Sequence, residues 1–477
     1  MQSSFAQKIL IFLSLLSAEP VFSQPVPFVK YYGDASKITT GKTAIQVPGG
    51  SIFLAGTETE SATGSSRIIF SKIQDDGTLT WSQRYGFSAS DNICEEMIYD
   101  GNGSFIISAN RTDSVTGVIH GMLLKVDTNG VQDWMYSYGS AGINSLFAGL
   151  APCPGGGWLV TGQKPNPVSG ITNILVFRCD SNGIEKWSNV YGDPGNIETG
   201  MGIVQAPDAD IVISGDVQVS ATEINPYIFK IDTSGALKWD LLLSMRNNGG
   251  CKSIRLDRDN HLLLVGEAST DSSLQFDVIL AKADLSGNLF WIKYIPASNE
   301  SDAGFSVVES DQHEYLISGY GFDTSTQTKR VVIYTTDTSG VELEKKYFGI
   351  APVNIGYSIQ ALNAPYFLAA GTDFTNDQAI LIFDKVSGNI GIEEFSERNS
   401  ILAWPNPLCS GSVLHFDHSF ESVSCLDVSG KLIFQSKLTN GNSFPENCSL
   451  NKLSPGFYQL LLTSDGVKQQ LKLIVTK

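Results

Sequence analysis

Short runs in which apolar and polar residues alternate fill most of this chain. Segments 50–56 and 210–215 show the pattern clearly, and such runs are bounded by Gly, Asp, Asn or Pro. A period of two residues belongs to a strand with one buried face, and these bounding residues favour turns. The pattern predicts an all-β protein built from short strands, not helices.

These strands recur in units of about 53 residues, and the unit is marked by the motif Asp-x-x-Gly-x-x-x-Trp. The motif is complete at Asp127/Gly130/Trp134, Asp180/Gly183/Trp187, Asp232/Gly235/Trp239 and Asp284/Gly287/Trp291. Its glycine recurs at positions 77, 130, 183, 235, 287, 340 and 388. Four strands in each unit are the content of one propeller blade. We predict a seven-bladed β-propeller over residues 24–395; divergence in units five to seven, where Glu344 replaces Trp, leaves six or eight blades open.

Each motif is expected to form a hairpin turn, in which the Asp side chain bonds to the backbone and Gly takes a positive φ. Calcium binding is disfavoured because each turn offers only one carboxylate. The Trp is expected to pack between neighbouring blades instead of stacking on a ligand. A second recurring glycine closes the second strand of the unit and indicates a close backbone approach. It stands at Gly56, Gly162, Gly215, Gly266, Gly319 and Gly371, with Ala109 once.

With its preceding Lys, the motif resembles the tryptophan-docking motif of quinoprotein propellers, shortened by one residue, and more distantly the Asp box of sialidases. The resemblance covers about residues 30–395 and implies the fold only. The vicinal cysteines of quinoprotein enzymes and the arginine triad of sialidases are not recognisable in this sequence. We therefore expect no cofactor.

The ends of the repeat region indicate how the ring closes. Residues 29–33 match the strand ends at 84–86 and 137–139, but no Asp-Gly turn precedes them. Residues 389–395 begin a strand of the same kind. Pairing both ends within one blade would seal the propeller and remove exposed strand edges.

After Phe395 the pattern changes, and a polar linker over 396–401 leads to a predicted small β-sandwich over 402–477. Four motifs in this module resemble the C-terminal sorting domain of type IX secretion cargo: residues 404–407, 427–431, 453–458 and 472–477. The residues that carry the resemblance are Pro405, Asn406, Pro407, Asp427, Gly430, Lys431, Gly456, Tyr458, Lys472 and Lys477. The resemblance implies recognition by the type IX secretion machinery. It also implies a protein that is secreted or attached to the outer-membrane surface of a Gram-negative bacterium.

The N-terminal residues are predicted to be a signal peptide over 1–23. Lys8 precedes an apolar run over 9–18, and the small-residue site 21–23 follows it. The run is shorter than the roughly 20 residues that a membrane span needs, and no later stretch is apolar enough. We expect no transmembrane segment.

The chain of 477 residues carries 32 Lys and Arg against 49 Asp and Glu, a formal net charge of −17. This charge repels phosphates, so nucleic acid is excluded as a partner. Seven cysteines are an odd number for an exported chain, and most are expected to be buried small apolar residues. They are Cys94, Cys153, Cys179, Cys251, Cys409, Cys425 and Cys448.

The sequence contains no recognised catalytic signature. The five histidines lack metal-ligand spacing, and nucleophile-elbow, zincin and phosphate-loop motifs are absent. Residues 257–261 resemble a metal loop, but they occupy a hairpin position and are interpreted as a turn. No catalytic, cofactor-binding or metal-binding residue is assigned.

A ligand site is expected where loops converge at the mouth of the central channel, after each Tyr-Gly pair. The candidate ligand-facing residues are Asp91, Glu95, Glu96, Glu198, Lys252 and Asp302. Glu95 and Glu96 are adjacent and should point to opposite sides of a strand, which argues against a joint acid–base role. The favoured function is a non-enzymatic binding or adhesion module for an extracellular glycan or protein. The alternative is a polysaccharide hydrolase or lyase with carboxylates at the channel mouth.

Overall fold

The computed structural model of the protein describes residues 26–153, 155–220, 223–243, 248–269, 275–295, 300–349 and 352–386. In the C-terminal region it describes strand residues between 403 and 476. The chain forms two compact units, Met1–Val386 and Ser387–Lys477. The predicted signal peptide and the predicted domain limits near residue 395 lie outside the described residues.

The first unit is a seven-bladed β-propeller, as the repeat predicts. Each blade is a four-stranded antiparallel sheet. The first strand of every blade contacts the first strand of the next blade, and blade 7 contacts blade 1 in the same way. The seven first strands therefore surround a central channel.

The blades are numbered from the N-terminus. Blade 1 comprises Lys37–Gln46, Ile52–Glu60, Ser66–Ile73 and Leu79–Tyr85. Blade 2 comprises Ser90–Tyr99, Ser104–Asp113, Ile119–Asp127 and Gln132–Tyr138. Blade 3 comprises Leu146–Pro152, Trp158–Pro165, Thr172–Cys179 and Glu185–Tyr191. Blade 4 comprises Ile197–Gln205, Ile211–Ser220, Glu223–Ile231 and Leu237–Leu242.

The remaining blades follow the same order. Blade 5 comprises Asn248–Leu256, Leu262–Ser269, Phe276–Ala283 and Leu289–Ile295. Blade 6 comprises Ala303–Glu309, Tyr315–Asp323, Thr328–Thr336 and Glu342–Phe348. Blade 7 comprises Asn354–Ala361, Tyr366–Asp373, Gln378–Lys385 and, as its fourth strand, Phe28–Tyr32.

The N-terminal strand thus closes the ring. It pairs antiparallel with Gln378–Lys385, with Phe28 opposite Phe383 and Tyr32 opposite Ala379. This pairing is the closure that the sequence indicated for residues 29–33. The other predicted half, residues 389–395, lies outside the described residues.

The Asp-x-x-Gly motifs are hairpin turns. In blade 2, Asp127 Oδ1 accepts hydrogen bonds from the backbone N–H groups of Asn129 and Val131, both at 2.8 Å, and Gly130 has a φ of 81°. The corresponding aspartates at 180, 232, 284 and 337 accept the same pair of backbone bonds. A positive φ is costly for any residue with a Cβ, which explains the recurring glycine.

The same turn also contacts the neighbouring blade. Gly183 of blade 3 packs on the Trp134 ring of blade 2, so that an added Cβ would lie 3.0 Å from Trp134 Cζ3. The hydroxyl of Tyr138, also in blade 2, donates to Gly183 O at 2.6 Å. The tyrosine bond recurs from Tyr32 to Gly77, from Tyr85 to Gly130 and from Tyr191 to Gly235. We call this arrangement of Trp, Gly and Tyr the interblade clasp.

A β-bulge interrupts the first strand in every blade, opposite the second recurring glycine. A Cβ on Gly56 would lie 1.8 Å from Thr40 O, and one on Gly266 would lie 1.9 Å from Gly250 O. The bulges fall at 41/43, 94/96, 147/150, 200/202, 251/253, 304/306 and 356/358. In six blades the glycine leaves room for the carbonyl oxygen of the bulged strand, whereas in blade 2 Ala109 stands opposite the bulge.

Buried thiols occur in three of the blades described. Cys94, Cys179 and Cys251 are fully or almost fully buried. Burial raises the pKa of both Cys179 and Cys251 to about 12. A protonated, buried thiol packs as a small apolar group, as the sequence analysis expects for most of the cysteines.

The second unit contains a five-stranded sheet in the order Leu408–Cys409, Val467–Thr476, Gly456–Ser464, Ser422–Leu426, Leu432–Lys437. Ala403–Trp404 pairs with His415–Phe416. Gly456, Tyr458 and Lys472 of the sorting motifs lie on strands. The motif residues 405–407, 427, 430, 431 and 477 are outside the described part, and the β-sandwich stays a prediction. Nowhere in the described ranges is there a helix that could cross a membrane.

Replacing Tyr138 with Phe tests the interblade clasp. The change removes the hydroxyl that bonds to Gly183 O, and we expect the free energy of unfolding to fall by about 1 kcal/mol in urea denaturation. Tyr136, on the same strand, is 40% exposed. Tyr136→Phe should change stability by less than about 0.5 kcal/mol. Equal effects of the two substitutions would contradict the role of the clasp.

Candidate functional site: the central channel

The residue inserted at each bulge lines the central channel. The seven residues form a ring: Lys42, Glu95, Ala148, Met201, Lys252, Phe305 and Tyr357. An extra residue on one strand breaks the regular alternation and re-aims a side chain. All seven line one cavity of about 720 Å³, which we call the channel cavity.

The channel cavity extends from this ring towards one end of the propeller. Its lining includes Ile45, Ile98 and Val308 on the first strands and reaches Pro48, in the hairpin that joins the first two strands of blade 1. The loops after the Tyr-Gly pairs precede the first strands and therefore lie at the opposite end. The structure thus places the large cavity away from the mouth that sequence reasoning selected.

An aromatic pair forms one side of the ring. Phe305 and Tyr357 meet edge to face, with ring centroids 5.3 Å apart. The Lys42 ammonium lies 4.7 Å from the Tyr357 centroid and 3.2 Å from Glu95 Oε2. Burial alone would lower the pKa of Lys42, but Glu95 and Tyr357 beside it raise the pKa above its ordinary value. Lys42 is therefore held as a cation.

An ion pair crosses the channel. Arg255 Nη2 of blade 5 donates to Glu96 Oε1 of blade 2 at 2.6 Å. The other carboxylate oxygen of Glu96 accepts the backbone N–H of Leu150 at 2.6 Å. The two blades are three positions apart in a ring of seven, so this pair narrows the passage.

A third ion pair lies in the wall of blade 5, where Lys252 Nζ is 3.1 Å from Glu267 Oε1. Burial alone would lower the pKa of Lys252, but Glu267 and Asp216 raise it above the usual value. Asp216 Oδ1 accepts the backbone N–H of Cys251 at 2.6 Å. Burial raises the pKa of Asp216 to about 6, although Lys252 opposes the shift. Each cation that lines the cavity therefore has a carboxylate partner.

Three of the six predicted residues, Glu95, Glu96 and Lys252, meet in the channel cavity. The expectation that Glu95 and Glu96 point to opposite sides of the strand is wrong, because the bulge between residues 94 and 96 brings both to the cavity. Sequence reasoning missed Lys42, Phe305 and Tyr357. The repeat spacing could have identified them, because they occupy the same position in their repeat units as Glu95 and Lys252.

The other three predicted residues do not line the channel cavity. Glu198 is 3% exposed and accepts hydrogen bonds from Asp193 N and Asn173 Nδ2. Asp302 is fully buried, and its Oδ1 accepts the N–H of Phe322 at 2.8 Å. Both precede the bulge of their blade, Glu198 in the first strand and Asp302 just before it, and both accept hydrogen bonds that hold donors in place.

Asp91 lies between two blades. Its Oδ1 accepts the backbone N–H of Ser66, in the third strand of blade 1, at 3.0 Å. Asp91 stands four residues before the Glu95 bulge, on the side of the Tyr-Gly loop. This position explains why it contacts the neighbouring blade and not the cavity.

The segment 257–261 is a hairpin turn. Asp257 Oδ1 accepts the N–H groups of Asp259 and His261, and Asn260 has a φ of 62°. Asp257, Asp259 and His261 are close enough to hold a cation together. However, Asp257 Oδ2 lies 2.8 Å from Lys282 Nζ, so a protein cation already neutralises the buried carboxylate. The geometry supports the interpretation as a turn.

The C-terminal module has a match among known families. Residues 402–476 match the family described as a secretion system C-terminal sorting domain. These residues are a type IX sorting domain. The protein is accordingly secreted or displayed at the cell surface of a Bacteroidetes-type bacterium. This confirms the secreted or surface location that the four motifs predicted. No curated protein matches the sequence.

Several solved structures are similar at low identity. A protein of unknown function from Dyadobacter fermentans is 9% identical, with a TM-score of 0.46 over 76% of this chain and all of that one. PorZ, a surface component of the type IX secretion system of Porphyromonas gingivalis, is 13% identical, with a TM-score of 0.45. The match covers 90% of this chain but only 59% of PorZ. The Hadza microbial sialidase Hz136 is 11% identical, with a TM-score of 0.43, over 68% and 74% of the two chains.

Replacing Glu96 with Ala tests the ion pair across the channel. The change leaves the Arg255 guanidinium and the Leu150 N–H without their acceptor, and we expect a loss of about 2 kcal/mol in the free energy of unfolding. The matched control is Asp311→Ala, because Asp311 pairs with Arg258 and both side chains are nearly half exposed. That substitution should cost less than about 1 kcal/mol. A Glu96 effect no larger than the control would contradict a structural role for the pair.

Replacing Asp216 with Asn tests the raised pKa. The folded state holds this proton more tightly than the unfolded state, so the stability it contributes is present below about pH 4 and is lost as pH rises through about 6. The variant lacks this loss, and its stability relative to the unmodified protein should rise between about pH 4 and 7. Asp232→Asn is the control, and its stability relative to the unmodified protein should change with pH in the opposite direction. The reason is that the hydrogen bond from the Ser234 side chain lowers the pKa of Asp232. If urea titrations show a stability difference between Asp216→Asn and the unmodified protein that does not change with pH, the raised pKa of Asp216 is refuted.

Proposed function

We propose that the protein is a non-enzymatic binding module, secreted or displayed by type IX export, whose channel cavity takes part of an extracellular glycan or protein. The observation that carries this proposal is the ring of seven bulge residues around a cavity of about 720 Å³. Ligand pockets commonly measure about 300–1,000 Å³ and combine apolar walls with a few polar groups. The aromatic pair Phe305–Tyr357 and the flanking ion pairs fit that description.

The state of the carboxylates favours binding over catalysis. Glu95 and Glu96 are each within 3.2 Å of a cationic nitrogen, and each also accepts a second hydrogen bond. A glycosidase needs one carboxyl group that gives up a proton and a second that acts as nucleophile or base. Carboxylates committed to cations and N–H groups are poorly placed for either task.

One observation favours the alternative, a polysaccharide hydrolase or lyase. Burial raises the pKa of Asp216 to about 6, a value suited to a general acid near neutral pH. However, its Oδ1 is occupied by the backbone N–H of Cys251. Asp216 is therefore the first residue to mutate if the protein releases sugars.

The aromatic pair provides the test of binding. The full chain is applied to glycan and protein arrays, and release of reducing ends is measured on every glycan that binds. We expect binding without release, and we expect Phe305→Ala to weaken it at least about tenfold, equal to about 1.4 kcal/mol. Phe374, which is 44% exposed and does not line the cavity, supplies the control Phe374→Ala. Release of reducing ends would replace this proposal with the hydrolase.

A further inference from the structure

We propose that the channel cavity recognises an uncharged carbohydrate, entering as a chain end or a side branch. This inference rests on the proposed binding function and names its ligand class. It depends on the charge balance of the cavity, the aromatic pair and the ion pair across the channel.

Each charged side chain that lines the cavity is paired with a group of opposite charge. Lys42 pairs with Glu95, Arg255 pairs with Glu96, and Lys252 pairs with Glu267. This balance contrasts with the net charge of −17 on the whole chain. An anionic or cationic ligand would have to break one of these pairs, and removing one partner of a shielded pair is costly. Hydroxyl groups can bond to a paired ammonium or carboxylate without displacing its partner.

The aromatic pair offers an apolar surface of the kind that a sugar ring can cover. Phe305 and Tyr357 are both half-buried and line the cavity. The Lys42 ammonium lies over the Tyr357 ring at 4.7 Å. Because an aromatic face attracts cations, this lysine already occupies the position that a cationic ligand would seek. An uncharged ring with apolar C–H groups is the occupant that remains.

The polar groups of the cavity include both donors and acceptors. Lys42 and Lys252 donate, and the carboxylates of Glu95 and Glu96 accept. Sugar hydroxyls are also donors and acceptors at once. A mixed set of this kind suits a polyhydroxylated ligand better than a purely apolar one.

The geometry limits how such a ligand enters. The Glu96–Arg255 pair joins blades 2 and 5 across the channel, so a polymer is not expected to thread through it. The cavity extends to the hairpin at Pro48, so entry is expected from that end. A terminal segment or a side branch satisfies both constraints.

The test is calorimetric titration of the full chain with defined probes. The uncharged probes are gluco-, manno- and galacto-oligosaccharides; the charged probes are oligogalacturonate and chitosan oligomers. We expect at least one uncharged probe to bind at least tenfold more tightly than either charged probe. Its Kd should change by less than about twofold between ~0.05 and ~0.5 M salt, because no net charge is neutralised. Phe305→Ala should abolish this binding.

A charge variant sharpens the test. Glu95→Gln removes the partner of Lys42 and leaves a positive charge in the cavity, so oligogalacturonate should gain at least about threefold in affinity. Glu60→Gln is the matched control, because Glu60 pairs with Lys37 at 2.8 Å and does not line the cavity. The control should leave the affinities for oligogalacturonate and for the uncharged probe unchanged. No gain for Glu95→Gln would contradict the argument from paired charges.

The outcomes separate this inference from the proposed function. Tighter, salt-sensitive binding of a charged probe that Phe305→Ala abolishes would overturn the uncharged ligand but keep the binding cavity. If Phe305→Ala weakens the binding of a protein ligand only, the uncharged carbohydrate is likewise overturned and the binding cavity is kept. If no sugar or protein ligand responds to Phe305→Ala, the proposed function itself fails.

Discussion

The close contact between a second-strand glycine and a first-strand carbonyl oxygen is the constraint on which the channel depends. At Gly56, Gly266 and Gly319 the carbonyl oxygen lies within 2 Å of where a Cβ would be. The first strand can approach so closely because the glycine has no side chain, and the approach accompanies the bulge in six blades, while Ala109 stands opposite the bulge in blade 2. Seven bulges place seven side chains around one cavity. The scaffold is therefore regular, while the ring residues differ from blade to blade.

The interblade clasp gives the propeller its continuity. In blades 7, 1, 2 and 3 a tyrosine of the fourth strand bonds to the turn glycine of the next blade. In blades 1 and 2 the tryptophan ring packs on that same glycine. At the closure, Phe28 takes the tryptophan position against Gly77, and Tyr32 makes the usual bond to Gly77 O. The N-terminal strand thus closes the ring with the same tyrosine bond that joins blades 1 to 2, 2 to 3 and 3 to 4. A separate sealing device is not needed.

Charge is distributed unevenly between the outside and the channel. The chain is strongly acidic, but the cations that line the cavity are matched by carboxylates. A low-dielectric wall makes unpaired charge expensive, and pairing stabilises both partners while keeping them available for hydrogen bonds. The charges at the cavity wall are paired, which suits recognition by shape and hydroxyl bonding.

Much of the fold could be predicted from local sequence patterns. Alternation identifies strands, the Asp and Gly of each motif identify turns, and their spacing sets the number of blades, because these signals act over a few residues and repeat. The four C-terminal motifs likewise identified the sorting domain.

The set of side chains that meet in the channel cavity depended on tertiary structure. Glu95 and Glu96 share the cavity only because pairing with the second strand forces a bulge, which plain alternation does not anticipate. Arg255 meets Glu96 across 159 positions of sequence, and Lys42 meets Tyr357 only because the ring closes. The sequence by itself determined the blade and favoured a count of seven, since both follow from short-range repeating signals, and the structure excluded six or eight blades. Ring closure and the bulges decided which side chains meet in the channel, because those contacts join residues that are distant in the chain.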